Sequence, residues 1–94
     1  MPQKFRVKIS DSAERDFERI AKYLIDNDFD IEILISIRQE AIRKLSEHPD
    51  RNAIFRDNVR KVQILRKNVV YYEIISDSVR ILHVRAGGMN IDLD

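Results

Sequence analysis

Residues 59–86 read VRKVQILRKNVVYYEIISDSVRILHVRA, and this stretch decides the fold. Three runs within it, Val59–Leu65, Val69–Ile75 and Val79–Ala86, are rich in Val, Ile and Tyr, which suit a pleated, half-buried surface. Arg66-Lys67-Asn68 and Ser76-Asp77-Ser78 separate the runs, and such short connections predict consecutive hairpins. The middle run, Val69-Val70-Tyr71-Tyr72-Glu73-Ile74-Ile75, is apolar at both parities, as expected of a strand inside a sheet.

Upstream of these strands the period changes. Pro49 pushes its predecessor out of helical geometry, so a helix ends before it and a long loop runs to about Asn58. In that helix Ile31, Leu34, Ile35, Ala41, Ile42 and Leu45 form a stripe that Ile33 and Ile37 widen; it should touch both the sheet and a neighbouring helix. Asp30 is placed to cap its start. Ala13, Phe17, Ile20, Ala21 and Leu24 recur at spacings of three and four, predicting a first helix from about Ser12 to Asp26, with Asp11 and Glu14 resembling a capping box. Asn27-Asp28-Phe29-Asp30 joins the two helices as a hairpin. Before them, Phe5, Val7 and Ile9 alternate with Lys4, Arg6 and Lys8, the signature of a strand with one basic face. Gly87-Gly88 leads into a tail, within residues 86–94. The order β-α-α-β-β-β, with helices grouped before the hairpins, predicts one α+β domain over residues 1–94: an antiparallel sheet packed against a helical hairpin.

Charge follows this layout. Residues 1–10 carry +3 and residues 51–94 carry +3, whereas residues 11–50 carry −5, although the whole chain is only +1. A basic sheet side and an acidic helical side are therefore expected, suited to nucleic acid or to an acidic protein partner. Cysteine is absent, which removes disulfides and thiolate chemistry and suits the cytoplasm. Neither a signal sequence nor an apolar run of membrane-spanning length is found, so no membrane association is expected.

The element order and a set of dispersed residues resemble the RelE/ParE family of toxins from type II toxin–antitoxin systems, including plasmid-stabilisation modules. The resemblance rests on Ser10-x-x-Ala13, Asp16-Phe17-x-x-Ile20, Leu45-x-x-His48-Pro49, Val59-Arg60, Val70-x-Tyr72-x-Ile74 and Asp77-x-Val79-x-Ile81-Leu82-x-Val84. It implies a growth-inhibiting toxin neutralised by a cognate antitoxin, with operator DNA bound mainly through that antitoxin. RelE-like members cleave mRNA on the ribosome; ParE-like members poison DNA gyrase. By the same resemblance Arg60, Lys61 and Arg85 are candidate target- or phosphate-binding residues.

Cleavage of RNA through its own 2′-hydroxyl needs a base, an acid and cations around the transition state. Arg60 and Arg85, at strand ends, can grip a phosphate bidentately, although an arginine there is commonly solvated or ion-paired. His83, in alternation with Ile81 and Arg85, is a candidate for proton transfer; a half-buried, hydrogen-bonded histidine is the simpler alternative. His48 reads as a helix-end residue, Tyr72 as core or rim, and Tyr71 and Glu73 as weaker acid–base candidates. Many RNA-cleaving relatives carry Arg-x-Gly-x-His after the last strand; here Arg85-Ala86-Gly87-Gly88-Met89 puts methionine in the histidine place, and Gln63 stands where one subgroup has histidine. Neither replacement exchanges protons near neutrality. The His-x-Arg ending usual in ParE-like members is not clearly present either. No phosphate loop or metal-ligand cluster occurs, so no cofactor is expected, and the acids of residues 11–32 read as a solvated face. Three readings stay open: a non-hydrolytic toxin acting on a protein such as gyrase, a ribosome-dependent endonuclease using Arg60, Arg85 and His83, and a degenerate toxin that only binds antitoxin.

Overall fold

The computed structural model describes residues 4–87. Strand β1 (Arg6–Ile9) leads into helix α1 (Asp11–Asp26) and helix α2 (Glu32–Glu47), followed by a 3-10 turn (Pro49–Arg51). Four strands follow among the described residues, β2 (Ile54–Arg56), β3 (Val59–Ile64), β4 (Asn68–Ile75) and β5 (Ser78–Arg85). With β1 they form a five-stranded sheet in the order β1-β5-β4-β3-β2, which puts β4 at the centre, where its apolar parities predict it. The α+β class and the grouping of helices before hairpins are as expected.

The sheet departs from expectation in two respects. It is mixed, because β1 lies parallel to β5, with Val7 opposite Val79 and Ile9 opposite Ile81. A parallel pair needs a long crossover, and here the whole helical hairpin and three strands intervene. The second departure is β2, inside the stretch read as a loop. Its three residues are all exposed and its register against β3 is irregular, so nothing in its own sequence marks a strand. Its partner makes it one: Lys61 donates its backbone N–H to Ala53 O at 3.1 Å, and the Phe55 ring meets Tyr71 edge-on at 5.1 Å.

Helix α1 starts one residue earlier than predicted because Ser10 is its cap. The Ser10 hydroxyl accepts from Ala13 N at 3.1 Å and donates to Leu82 O at 3.2 Å, so the helix start is tied to β5. The cap position of α2 falls on Ile31, one residue after the predicted Asp30, whose carboxylate still accepts from Glu32 N at 2.9 Å. The buried stripe of α2 is narrower than the sequence implied. Ile37, Ala41 and Leu45 are buried and Leu34 packs beside them, while Ile31, Ile33, Ile35 and Ile42 remain exposed.

The core lies between the hairpin and one face of the sheet. Phe17, Ile20 and Leu24 from α1 and Ile37, Ala41 and Leu45 from α2 meet Val62, Ile64, Val70, Tyr72, Val79, Ile81 and Val84. Each large side chain buried here contributes roughly 1.5–3 kcal/mol of transfer free energy. The helices thus close one sheet face and leave the other to solvent, which is where the candidate site lies.

Candidate outer-face site

Register assigns the outer face row by row. Lys61 on β3 pairs with Tyr71 on β4, and Tyr71 pairs with His83 on β5, so these three side chains form one transverse row. The neighbouring row is Gln63, Val69 and Arg85. On the other side, Val59, Glu73 and Arg80 align, and Arg80 pairs with Lys8 of β1. Phe55 adds a ring beside the first row, with the Lys61 ammonium 5.6 Å and the Arg56 guanidinium 5.8 Å from its centroid. Lys61, Arg80, Arg85, Lys4, Arg6 and Lys8 are all exposed, so the sheet side is basic as the charge layout predicts.

His83 reaches this face by a route that simple alternation misses. A bulge between Ile81 and His83 inserts Leu82 opposite the Tyr71–Tyr72 step. Ile81 stays in the core, whereas His83 turns out beside Arg85, contrary to the shared alternation expected of Ile81 and His83. The bulge lies where β5 outruns its neighbour β1, and α1 closes the exposed edge. Asp16, only 3% exposed, accepts from Val84 N at 2.9 Å and stands 3.2 Å from His83 Nδ1, through the same carboxylate oxygen. The imidazole is itself largely exposed, at 57%.

Arg60 lies elsewhere. It shares the helix-side parity of Val62 and Ile64, and its guanidinium donates to Asn52 O at 2.6 Å and Asp50 O at 3.2 Å. Tyr72, opposite Arg60 in register, is fully buried. Its hydroxyl donates to Pro49 O and accepts from Asn52 Nδ2 at 3.0 Å. Together they bind the 3-10 turn to the sheet. Burial raises the Tyr72 phenol above its ordinary pKa, opposed by the Asn52 hydrogen bond and the Arg60 charge. His48 caps the end of α2, remote from the outer-face rows. The structure therefore brings Lys61, His83 and Arg85 together and parts Arg60 from them. Met89 lies outside the described residues.

Two residues of the site were missed from sequence. Phe55 sat in an apparent loop. Asp16 was counted among solvated acids, yet it occupies the apolar stripe between Ala13 and Ile20, and an acid at a core position is a signal that it has a specific partner. Among the described residues, no group of three or more His, Cys, Asp or Glu is placed to hold a metal ion, and no helix is long and apolar enough to cross a membrane.

Comparisons with known proteins give the fold and the family. A chain of the RelBE2 toxin–antitoxin complex of Mycobacterium tuberculosis superposes with a TM-score of 0.71 at 20% identity, covering 92% of this chain and 94% of that one. A chain of the chromosomal ParDE system of P. aeruginosa gives 0.72 at 14% identity, covering 90% and 98%. A conserved hypothetical protein of Helicobacter pylori, solved in solution, gives 0.61 at 17% identity, covering 87% and 93%. At these identities the likeness establishes the fold. No individually curated protein sequence matches. The family model for the ParE toxin of type II toxin–antitoxin systems matches residues 7–91, nearly the whole chain, and on that match the chain belongs to the ParE toxin family.

Proposed function

We propose that this toxin arrests growth by gripping a protein target such as DNA gyrase through its outer sheet face, and that a cognate antitoxin neutralises it by covering the same face. The observation that carries this reading is the composition of the face. Lys61 and His83 flank Tyr71, with Phe55 alongside, and Arg85 stands in the next row. Cations beside an exposed phenylalanine and a half-buried tyrosine suit a binding surface with charge pairing and aromatic anchors. The same features fit an acidic amphipathic segment, the kind of antitoxin tail that two of the solved relatives, described as toxin–antitoxin systems, make a natural expectation. Operator DNA would then be reached through the antitoxin.

The test is a gyrase supercoiling and cleavage assay with purified toxin. Inhibition is expected, and Lys61→Ala/Arg85→Ala should abolish it without unfolding the protein, since both side chains are exposed. Supercoiling left intact at toxic concentrations would remove gyrase as the target.

One observation favours a second reading, ribosome-dependent mRNA cleavage. Asp16 faces Nδ1 of His83, which leaves Nε2 as the other ring nitrogen of an exposed imidazole in line with Lys61 and near Arg85. A carboxylate that orients a histidine is the arrangement of a general base. Mapping of mRNA ends on stalled ribosomes decides it: new ends that vanish in His83→Gln support cleavage, and their absence in wild type rejects it.

A further inference from the structure

The helical hairpin ends in a surface whose chemistry is opposite to that of the sheet. Four large apolar side chains stand exposed within nine residues there: Ile25 at 65%, Phe29 at 52%, Ile31 at 39% and Ile33 at 41%. Apolar exposure of this density on a folded domain marks an interaction site. The turn that presents it is held by several bonds. Asp28 takes a left-handed conformation (φ 57°), Phe29 N donates to Leu24 O at 2.8 Å, and Asn27 N donates to Tyr23 O at 3.1 Å. The Phe29 ring stacks on Tyr23 with centroids 6.1 Å apart. A partner would therefore meet the apolar residues on a fixed frame, with little ordering entropy to offset.

Charge selects the partner. From Tyr23 to Ile37 the chain has four acids, Asp26, Asp28, Asp30 and Glu32, and no Lys or Arg. Asp26 is paired with Lys22 at 2.9 Å, and the Asp30 carboxylate accepts from Glu32 N at the start of α2. Asp28 and Glu32 flank the apolar residues, both exposed. An acidic segment of the kind that fits the sheet is repelled here, and a cationic one is attracted. A second copy, presenting its basic sheet to this tip, would make a head-to-tail contact and would hide the sheet face as well as the tip, which concentration-dependent shifts at both surfaces would reveal.

We propose that the hairpin tip, centred on Phe29 and Ile33, docks a cationic amphipathic segment of a partner protein, separately from whatever covers the sheet. The inference does not depend on the identity of the growth-arrest target. The probe is a synthetic amphipathic helical peptide of leucine and lysine, titrated into isotope-labelled protein by amide NMR, with the leucine–glutamate counterpart as control. Shifts confined to residues 25–33 are expected, together with no tip binding by the glutamate peptide. Phe29→Ser/Ile33→Ser should weaken the lysine peptide by about tenfold or more, while Lys61→Ala/Arg85→Ala should leave its affinity unchanged. Asp28→Asn/Glu32→Gln tests the charge part alone and changes no apolar contact, so it serves if the serine variant fails to fold. The proposal is overturned if the shifts centre on another surface, if both peptides bind the tip equally, or if neither double variant weakens binding. It is likewise overturned if the tip amides shift on raising protein concentration without peptide, which would assign the surface to a second copy.

Discussion

A single carboxylate oxygen of Asp16 faces both His83 Nδ1, at 3.2 Å, and the backbone N–H of Val84, at 2.9 Å. The first helix thereby takes the place of the strand that β5 lacks beyond the end of β1. Removing the carboxylate in Asp16→Ala orphans the Val84 amide in a buried setting, which costs roughly 1–3 kcal/mol. Urea unfolding should show that loss, with Asp16→Asn in between because its amide oxygen still accepts. A stability equal to wild type in the alanine variant would mean that this contact does not support the bulge.

The β3–β4 turn stores strain. Leu65 (φ 50°) and Arg66 (φ 75°) both adopt left-handed backbone, which disfavours residues carrying a Cβ. Leu65→Gly or Arg66→Gly should each raise stability by about 0.5–1 kcal/mol, the relief of strain exceeding the entropy cost of glycine. Both side chains are exposed, so little packing is lost. Thermal denaturation of the single and double variants checks the sign.

At the other end of β5 the geometry forbids the converse change. A Cβ at Gly87 would stand 2.2 Å from Lys67 O, a backbone atom with nowhere to yield. Gly87→Ala should destabilise by roughly 1–3 kcal/mol through displacement of the β3–β4 turn, and the amides of Lys67 and Asn68 should exchange faster. Unchanged exchange there would show that the turn is not braced by the chain passing Gly87.

Tyr72 makes stability depend on alkaline pH. Its pKa is raised on folding by burial, so its contribution is complete below the unfolded-state value and lost as pH rises through the folded one. The decline attributable to Tyr72 begins near pH 10, the ordinary tyrosine range. Tyr72→Phe should remove that component and flatten the alkaline limb. Near neutrality it should cost about 1–3 kcal/mol, because Pro49 O and Asn52 lose a buried partner. Denaturant titrations at pH 7 and above pH 10 measure both effects.

What the sequence discloses and what it conceals divide along a physical line. Helices α1 and α2 and strands β3 to β5 are marked by their own periodicity, because burial of one face imposes a repeat that local residues must satisfy. Features that exist only through a partner strand leave no such mark. Strand β2 exists through its pairing with β3; the parallel partner of β1 is 72 residues away in sequence, as Arg6 against Ser78. The site divides in the same way. Lys61 reaches the outer face by plain alternation, whereas His83 and Arg85, of the same parity as the core residue Ile81, arrive there through a bulge that period-2 reading cannot foresee. Arg60, one residue from Lys61, falls on the opposite parity and becomes a brace for the turn at Asp50–Asn52. The exposed isoleucines of α2 looked like core because residue type reports hydrophobicity, not which side a neighbour occupies.

The pairing of β1 with β5 also bears on synthesis. Chains leave the ribosome from the N-terminus, and β1 has no sheet partner until Ser78–Ile81 has emerged. Non-local pairing of this kind delays folding relative to local hairpins. The half-made chain can assemble its helices and the β3–β4 hairpin, yet Asp16 has neither His83 nor Val84 to hold, and the outer face lacks His83 and Arg85. A nascent chain therefore lacks both the β1–β5 pairing and a complete outer face until β5 has emerged, a delay written into strand order.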